Sequence, residues 1–429
     1  MFDQRGPRIV VTGLGVVAAN AHGVPAFLDA LRAGRSGIAF QQHLADANFA
    51  CQVGGIPADI ARIAEGYLPA ADLMAMNANM MYAAVAAMDA WRDGGLSVPD
   101  CGDDEVDWGT GAIIGTGIGG MDTIAEKLVP KTDAGKVSRL GSTMVEQIMA
   151  SGASARVAGI LALGNQVSTN SSACNTGAEA IISAFTRLKN GLAQRMLAGG
   201  SEGHSKYIWA GFDAMKVLSR GHNHEPERAS RPMSASASGF VPAAGGGVLL
   251  LETLHSARER GARIYAEVLG GALNCGGHRM GGSMTAPNPV AVVRCIRQAV
   301  SEAGISPSRI GAINGHLTAT FADPLEIANW ATALELSPAK MPIIHATKSL
   351  IGHALGAAGA IESIASVLEL YHGFIHASLN CEDLHPALEP YASRIARERI
   401  DGADVEVLAK ASFGFGDVNG CLIFRRSEP

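Results

Sequence analysis

An α/β protein with alternating strands and helices, built as one globule of two similar halves, is the fold class predicted by the sequence. Three observations carry that prediction. Apolar runs of strand length are repeatedly followed by segments with apolar residues at the three-and-four spacing of a helix face. Of 429 residues, 52 are glycine and 48% are hydrophobic while only 5% are aromatic, which suits close approach of helices to a sheet. The stretch RIVVTGLGVV at 8–17 is echoed by RIYAEVLGGALN at 263–274, each opening a series of strand–helix units, the pattern of an internal duplication. The halves are expected at residues 1–255 and 256–429, with no low-complexity linker between them.

Bulk properties narrow the function classes. A net charge of −6 gives a nucleic-acid role no electrostatic support. Seven cysteines without a CxxC pair point to reduced thiols and a cytoplasmic setting. No apolar run reaches membrane-spanning length, so no membrane insertion is expected.

In chain order, 8–17 reads as a core strand and 24–33 as the helix after it. The GxG at 13–15 lacks a third glycine opening that helix, so a dinucleotide loop is not expected. Residues 69–92 read as one long Met- and Ala-rich helix whose methionines suit core filling or an interface. A strand at 111–115 leads into a glycine-rich turn carrying Ile118, and Lys127, Lys131, Lys136 and Arg139 then form a loose basic loop. Strands follow at 195–198 and 248–252, with loop between 219 and 247. The second half reads helix 289–303, strand 312–316, helix 324–334, strand 341–347, helix 356–370 and strand 405–412.

The stretch QVSTNSSACNTGAEAIISAFTRLKNG at 166–191 organises the chemistry. A short alternating strand leads through small residues to Cys174, directly before an amphipathic helix made of Ala178, Ile181, Ile182, Phe185 and Leu188. A cysteine at a helix N-terminus faces free N–H groups and the positive end of the helix dipole, which favour the nucleophilic thiolate. A buried structural thiol fits the same position. Two histidines also stand at strand ends: His316 in INGHLTATFADPLE, and His353 in HATKSLIGHALGAAGAIE, which also carries Lys348 and Glu362. Phe413 and Phe415 alternate with glycine in AKASFGFGDVNG. Ligands of α/β sheets collect at the carboxyl ends of strands, which brings these stretches together.

These blocks resemble the β-ketoacyl synthases, condensing enzymes of the thiolase superfamily, and specifically their stand-alone elongating type. KSLIGHALGAAGAIE is similar to the family's KSxxGHxxGAAGxxE, SSACNTG to xxACxTG, and NGHLTATFADPLE to NAHGTSTxxxDxxE. The resemblance spans nearly the whole chain and implies a thiolase-like duplicated five-layer αβαβα fold. It implies an acyltransferase in which Cys174 takes an acyl group from a carrier thioester. A malonyl-carrier thioester is then decarboxylated and condensed onto it. In that scheme His316 and His353 donate to the enolate oxygen, and the N–H groups of Cys174 and Phe413 form the oxyanion hole. Lys348 and Glu362 orient His353, and Thr318 and Thr320 hold the pantetheine arm. Ile118 and Phe413 occupy positions resembling acyl-pocket and gating residues, and Phe415 is expected among the substrate-binding residues. No metal and no cofactor are implied beyond the phosphopantetheine of an acyl carrier protein, the expected partner. A homodimer, or a heterodimer with a related ketosynthase-like subunit, is implied as well.

Fatty-acid and specialised polyketide or polyene pathways both accommodate this pattern, and a cysteine hydrolase using Cys174 with one histidine is the rival from another class. Four departures stand out. Leu317 takes a usual glycine position and Asp417 replaces the second glycine of GFGG. The segment 231–247 lacks the usual charges, and 64–76 contains no Lys or Arg, leaving Lys136, Arg139 and Lys206 as the nearest basic candidates for carrier docking.

Overall fold

The computed structural model describes residues 6–100 and 102–427. Among the described residues the main sheet has eleven strands, ten of them in one continuous path: β1 (Ile9–Ala18), β2 (Thr110–Gly115), β3 (Val167–Ser168), β4 (Arg195–Glu202), β5 (Gly245–Thr253), β6 (Ala266–Cys275), β7 (Ile310–Asn314), β8 (Ile343–His345), β9 (Val407–Gly414) and β10 (Val418–Arg426). Their spatial order is β8-β7-β9-β10-β6-β1-β5-β4-β2-β3, with Ala21–His22 pairing alongside β1. From β1 outward the pairings run antiparallel, antiparallel, parallel, parallel, and from β6 outward they run the same way. The echoing stretches at 8–17 and 263–274 thus lie on the innermost strand of each half, β1 and β6. These two meet antiparallel over only three residue pairs, Ile9 with Val268 to Val11 with Ala266.

Six helices complete the layers: α1 (Ala78–Asp93), α2 (Gly152–Ile160), α3 (Thr176–Lys189), α4 (Pro289–Glu302), α5 (Ala322–Leu334) and α6 (Ala358–His372). α1 packs on β1, β5 and α2, while α4 packs on β6, β10 and α5. Between the sheet halves lie α3 and α6, touching strands of both. The result is the five-layer αβαβα arrangement of the thiolase-like fold. Strand alternation builds it: in β5, Leu249 and Leu251 face the central helices while Val248 and Leu250 face α1. Because α6 is covered on both sides, every residue from Ala358 to Leu370 is buried, Glu362 and Glu369 among them. α3 and α6 pass so closely that a side chain at Gly177 would meet the backbone nitrogen of Ala360 at 2.7 Å.

Two boundaries differ from expectation. The helix expected over 69–92 is broken into Ala70–Met74 and α1, because Asn77 caps α1 by accepting the Met80 N–H at 3.1 Å and donates to the Gln147 carbonyl at 2.7 Å. Its methionines divide accordingly: Met76, Met80 and Met88 are buried, and Met74 is exposed. The loop expected over 219–247 follows a helix, Lys206–Ala214, that the sequence pattern did not disclose. Among the described residues, no helix is long and apolar enough to cross a membrane.

Candidate active site

Cys174 sits in a tight 3₁₀ turn, Ala173–Asn175, immediately before α3. Ala173 adopts the left-handed conformation (φ 52°), a strained state for a residue with a side chain. Thr176 holds the turn: its hydroxyl accepts the Ser172 N–H at 2.9 Å and donates to the Ala173 carbonyl at 2.7 Å. The thiolate expected from the helix N-terminus is not the resting form. Burial pushes the Cys174 thiol up to about 11, outweighing the opposing pull of the Lys348 charge and of the Phe415 backbone N–H.

The turn brings Cys174 to both histidines. Its sulfur and one ring nitrogen each from His316 and His353 all lie within 4.8 Å of one another. The two imidazoles meet edge to face at 5.3 Å, and the Phe240 ring packs 5.1 Å from His353. Burial first, then the neighbouring positive charges of Lys348 and Lys410, hold both histidines well below their ordinary range, so both are neutral near pH 7.

Their tautomers follow from their partners. The Lys348 ammonium, which can only donate, lies 3.3 Å from His316 Nδ1. The Leu355 N–H donates to His353 Nδ1, also at 3.3 Å. Each ring therefore carries its proton on Nε2, and His353 Nε2 is buried with no protein partner. Lys348 and Glu362, expected to orient His353, instead hold His316: Lys348 Nζ is 2.5 Å from Glu362 and within hydrogen-bond reach of the His316 ring.

The backbone of His316 is held separately. Glu326 on α5 accepts the N–H groups of His316 (2.7 Å) and Leu317 (2.8 Å), while Asp323 accepts those of Thr318 (2.9 Å) and Ala319 (3.1 Å). Burial pushes Glu326 up to about 7 and Asp323 up to about 6, in each case against the pull of these N–H donors. Leu317 occupies the family's glycine position at φ 25°, and its side chain is buried in the core between the sheet and α4–α5.

A cavity of about 340 Å³ leads to this centre, lined by Cys174, His316, His353, Thr318, Thr320 and Phe415 among others. The Thr318 and Thr320 hydroxyls are 3.0 Å apart on its wall. Phe415 packs its ring 6.0 Å from that of Phe212. The oxyanion-hole expectation needs correction: the N–H that reaches the Cys174 sulfur is that of Phe415, not Phe413. Phe413 is still within β9, in register with Asn419, and contributes its ring, 6.3 Å from His316. Ile118 is not part of the cavity wall; its side chain is exposed, and its N–H donates to the buried Glu202, which also gathers the N–H groups of Gly117 and Gly356.

Asp417, unexpected in a flexible gate, is fully buried and accepts the N–H groups of His278 (3.0 Å) and Asn288 (2.7 Å), tying the loop after Phe415 to the loop at 276–288. The basic residues Lys136 and Arg139 are exposed, and Lys131 is tied to the Arg139 carbonyl at 2.9 Å.

Cys174, His316 and His353 are close enough to ligate a metal ion, but two buried ammonium groups beside the histidines oppose a further cation. Sequence reasoning missed the second of these, Lys410, although a lone lysine inside the apolar strand pattern VLAKASF is itself a signal, because lysine is seldom buried without a partner.

A buried cysteine on a strained turn, two neutral imidazoles beside it and a cavity leading to all three are arranged as in a thiolase-like condensing enzyme. Residues 7–257 match the family described as "Beta-ketoacyl synthase, N-terminal domain", and residues 265–382 match "Beta-ketoacyl synthase, C-terminal domain". The chain belongs to the β-ketoacyl synthase family. It is 35% identical to 3-oxoacyl-[acyl-carrier-protein] synthase 1 of Escherichia coli (strain K12), over 98% of this chain and 99% of that protein. It is 32% identical to the chloroplastic 3-oxoacyl-[acyl-carrier-protein] synthase I of Arabidopsis thaliana, over 98% of this chain and 87% of that one. Among solved structures, the ishigamide ketosynthase/chain length factor superposes with a TM-score of 0.87 at 29% identity, covering 99% of this chain and 100% of the other. A type II PKS acyl-carrier protein in complex with its ketosynthase bound to the hexaketide matches with a TM-score of 0.86 at 28% identity, covering 98% and 100%.

Proposed function

We propose that the protein catalyses decarboxylative condensation of an acyl group held on Cys174 with a malonyl thioester on an acyl carrier protein, in fatty-acid or polyketide-type biosynthesis. The observation that carries this reading is the pair of neutral imidazoles, each with its proton on Nε2, beside a buried thiol. Cys174 displaces the carrier thiol and becomes an acyl thioester, splitting a difficult reaction into two steps. Phe415 N–H, together with that of Cys174, stabilises the tetrahedral oxyanion. The malonyl thioester then loses carbon dioxide, and the electron pair of the broken C–C bond moves onto the thioester as an enolate. His316 and His353 each donate an Nε2–H to that oxygen, an arrangement worth about 3 kcal/mol per donor in comparable oxyanion sites. The enolate carbon attacks the acyl-Cys174 carbonyl, a C–C bond forms, and the Cys174 sulfur leaves. A cysteine hydrolase has no use for the second imidazole donor, which disfavours that reading.

Thr318 and Thr320 are suited to bind the amide groups of a phosphopantetheine arm along the cavity wall, and no other cofactor enters the scheme. A second copy of this chain, or a related ketosynthase-like subunit, is suited to cover the segment 118–149, where Ile118, Val129, Val137, Val145 and Met149 are all exposed. We take residues 1–255 and 256–429 as the two duplicated units, supported by the shared strand order on either side. The free cysteines among the described residues support a cytoplasmic enzyme. The reading is tested by incubating the protein with acyl carrier and malonyl carrier. Carbon dioxide release with a β-ketoacyl carrier product supports it, and a free carboxylic acid as the sole product overturns it.

A further inference from the structure

Glu362 is shared by two lysines. Lys348 Nζ lies 2.5 Å from one carboxylate oxygen and Lys410 Nζ lies 2.8 Å from the other, with all three side chains buried. Lys410 projects from β9, where its ammonium also meets the Ala411 carbonyl and, at 3.3 Å, the Ser412 hydroxyl. One buried carboxylate facing two buried lysines leaves an excess positive charge, which a purely structural ion pair does not require, and burial accordingly pulls Lys410 below its ordinary range against the attraction of Glu362. That charge sits on the side of the centre where His316 receives its bond from Lys348.

We propose that Lys410 is a positioning residue for the decarboxylation step: by occupying the second oxygen of Glu362 it leaves Lys348 bonded to His316 Nδ1, and the paired ammonium groups keep both imidazoles as neutral Nε2–H donors. This inference rests on the reading of the site as decarboxylating. Without Lys410, Glu362 has a free oxygen in an apolar surrounding, and the Lys348 ammonium is drawn across both oxygens and away from His316. The groups that face Lys410 are Glu362 from α6, Lys348 from the turn after β8 and Glu326 from α5, with the Cys421 thiol on β10 beside it. Those that face the histidines are Lys348, Lys410 and, for His316, His353. Removing one positive charge from this set raises the histidines, so protonation silences the donors at a higher pH.

The test follows carbon dioxide release from a malonyl carrier across pH in wild type, Lys410→Met and Lys410→Arg. The expected result is an acid limb moved up by roughly one pH unit in Lys410→Met, the effect of one close charge, and restored in Lys410→Arg. If Lys410→Met does not fold, Lys410→Gln, which keeps a donor for the Ala411 carbonyl, gives the same comparison. An acid limb unmoved in the neutral variant, whatever the fall in rate, assigns Lys410 a structural part only and overturns the proposal. Failure of the underlying reading is distinguishable: there the wild type itself releases no carbon dioxide.

Discussion

Lys348 Nζ stands 3.3 Å from His316 Nδ1, so one ammonium decides which nitrogen of the His316 imidazole carries its proton. Replacing it with methionine keeps the volume and removes both the donor and the charge. Lys348→Met is expected to slow carbon dioxide release about 100-fold at pH 7, within the range of a misplaced acid–base group. Acyl transfer to Cys174 should slow less, through loss of the Lys348 charge that opposes the rise of the thiol. Quench-flow measurement of both half-reactions checks this, and equal losses in the two contradict it.

In the proposed scheme the histidines are a pair of donors, and they have different supports, Lys348 for His316 and the Leu355 N–H for His353. His316→Ala and His353→Ala are each expected to lower carbon dioxide release about 100- to 1000-fold, the cost of one missing oxyanion donor. His353→Gln, whose amide can donate, should recover part of that loss. Near-normal release in either alanine variant rules out the two-donor scheme.

Asp417 staples two loops at the cavity mouth through the N–H groups of His278 and Asn288. Its own φ of 61° suits glycine, so Asp417→Gly costs nothing in backbone strain and removes the staple alone. Leaving those donors unpaired is expected to cost about 1–3 kcal/mol locally. Amide exchange at His278 and Asn288 should then quicken by about tenfold or more. Unchanged exchange at both amides shows the loops are held by other contacts.

Glu326 links stability to pH. Its carboxyl keeps its proton to about 7 in the folded chain, whereas an unfolded glutamate loses it near ~4.3. Between these values the folded state binds more protons. The stabilisation from this group is therefore full below the unfolded value and lost as pH rises through 7. The unfolding free energy of wild type relative to Glu326→Gln should fall by roughly 3 kcal/mol between acid and neutral pH. Urea titrations at a series of pH values measure this, and a flat difference refutes the assignment.

Much of the site was legible in sequence because its residues sit at strand ends with local signatures: the small-residue turn before Cys174, and the glycine- and alanine-rich run after His353. Helix limits set by local chemistry were legible too, as at α4, where Asn288 caps and Pro289 opens the helix. The break before α1 was not, because Asn77 acts there through the distant Gln147 carbonyl. Nor was the state of Cys174, since desolvation depends on what the whole fold places around it. The choice of Phe415 over Phe413 turned on where β9 ends, and strand ends are poorly marked in a sequence that alternates phenylalanine with glycine. Lys348 was legible as a residue beside the histidines but not which of them it meets, because His316 and His353 become neighbours only when β7 and β8 pair.

The central claim is that Cys174 carries an acyl group onto which a decarboxylated malonyl unit is joined. Intact-mass measurement of the carrier after reaction with acyl carrier and malonyl carrier tests it most directly, with Cys174→Ala as the control. The predicted result is a carrier bearing the acyl chain extended by two carbons and one keto oxygen, formed by wild type and not by Cys174→Ala. A free acid with the malonyl carrier left intact, or the extended product formed equally by Cys174→Ala, contradicts the account.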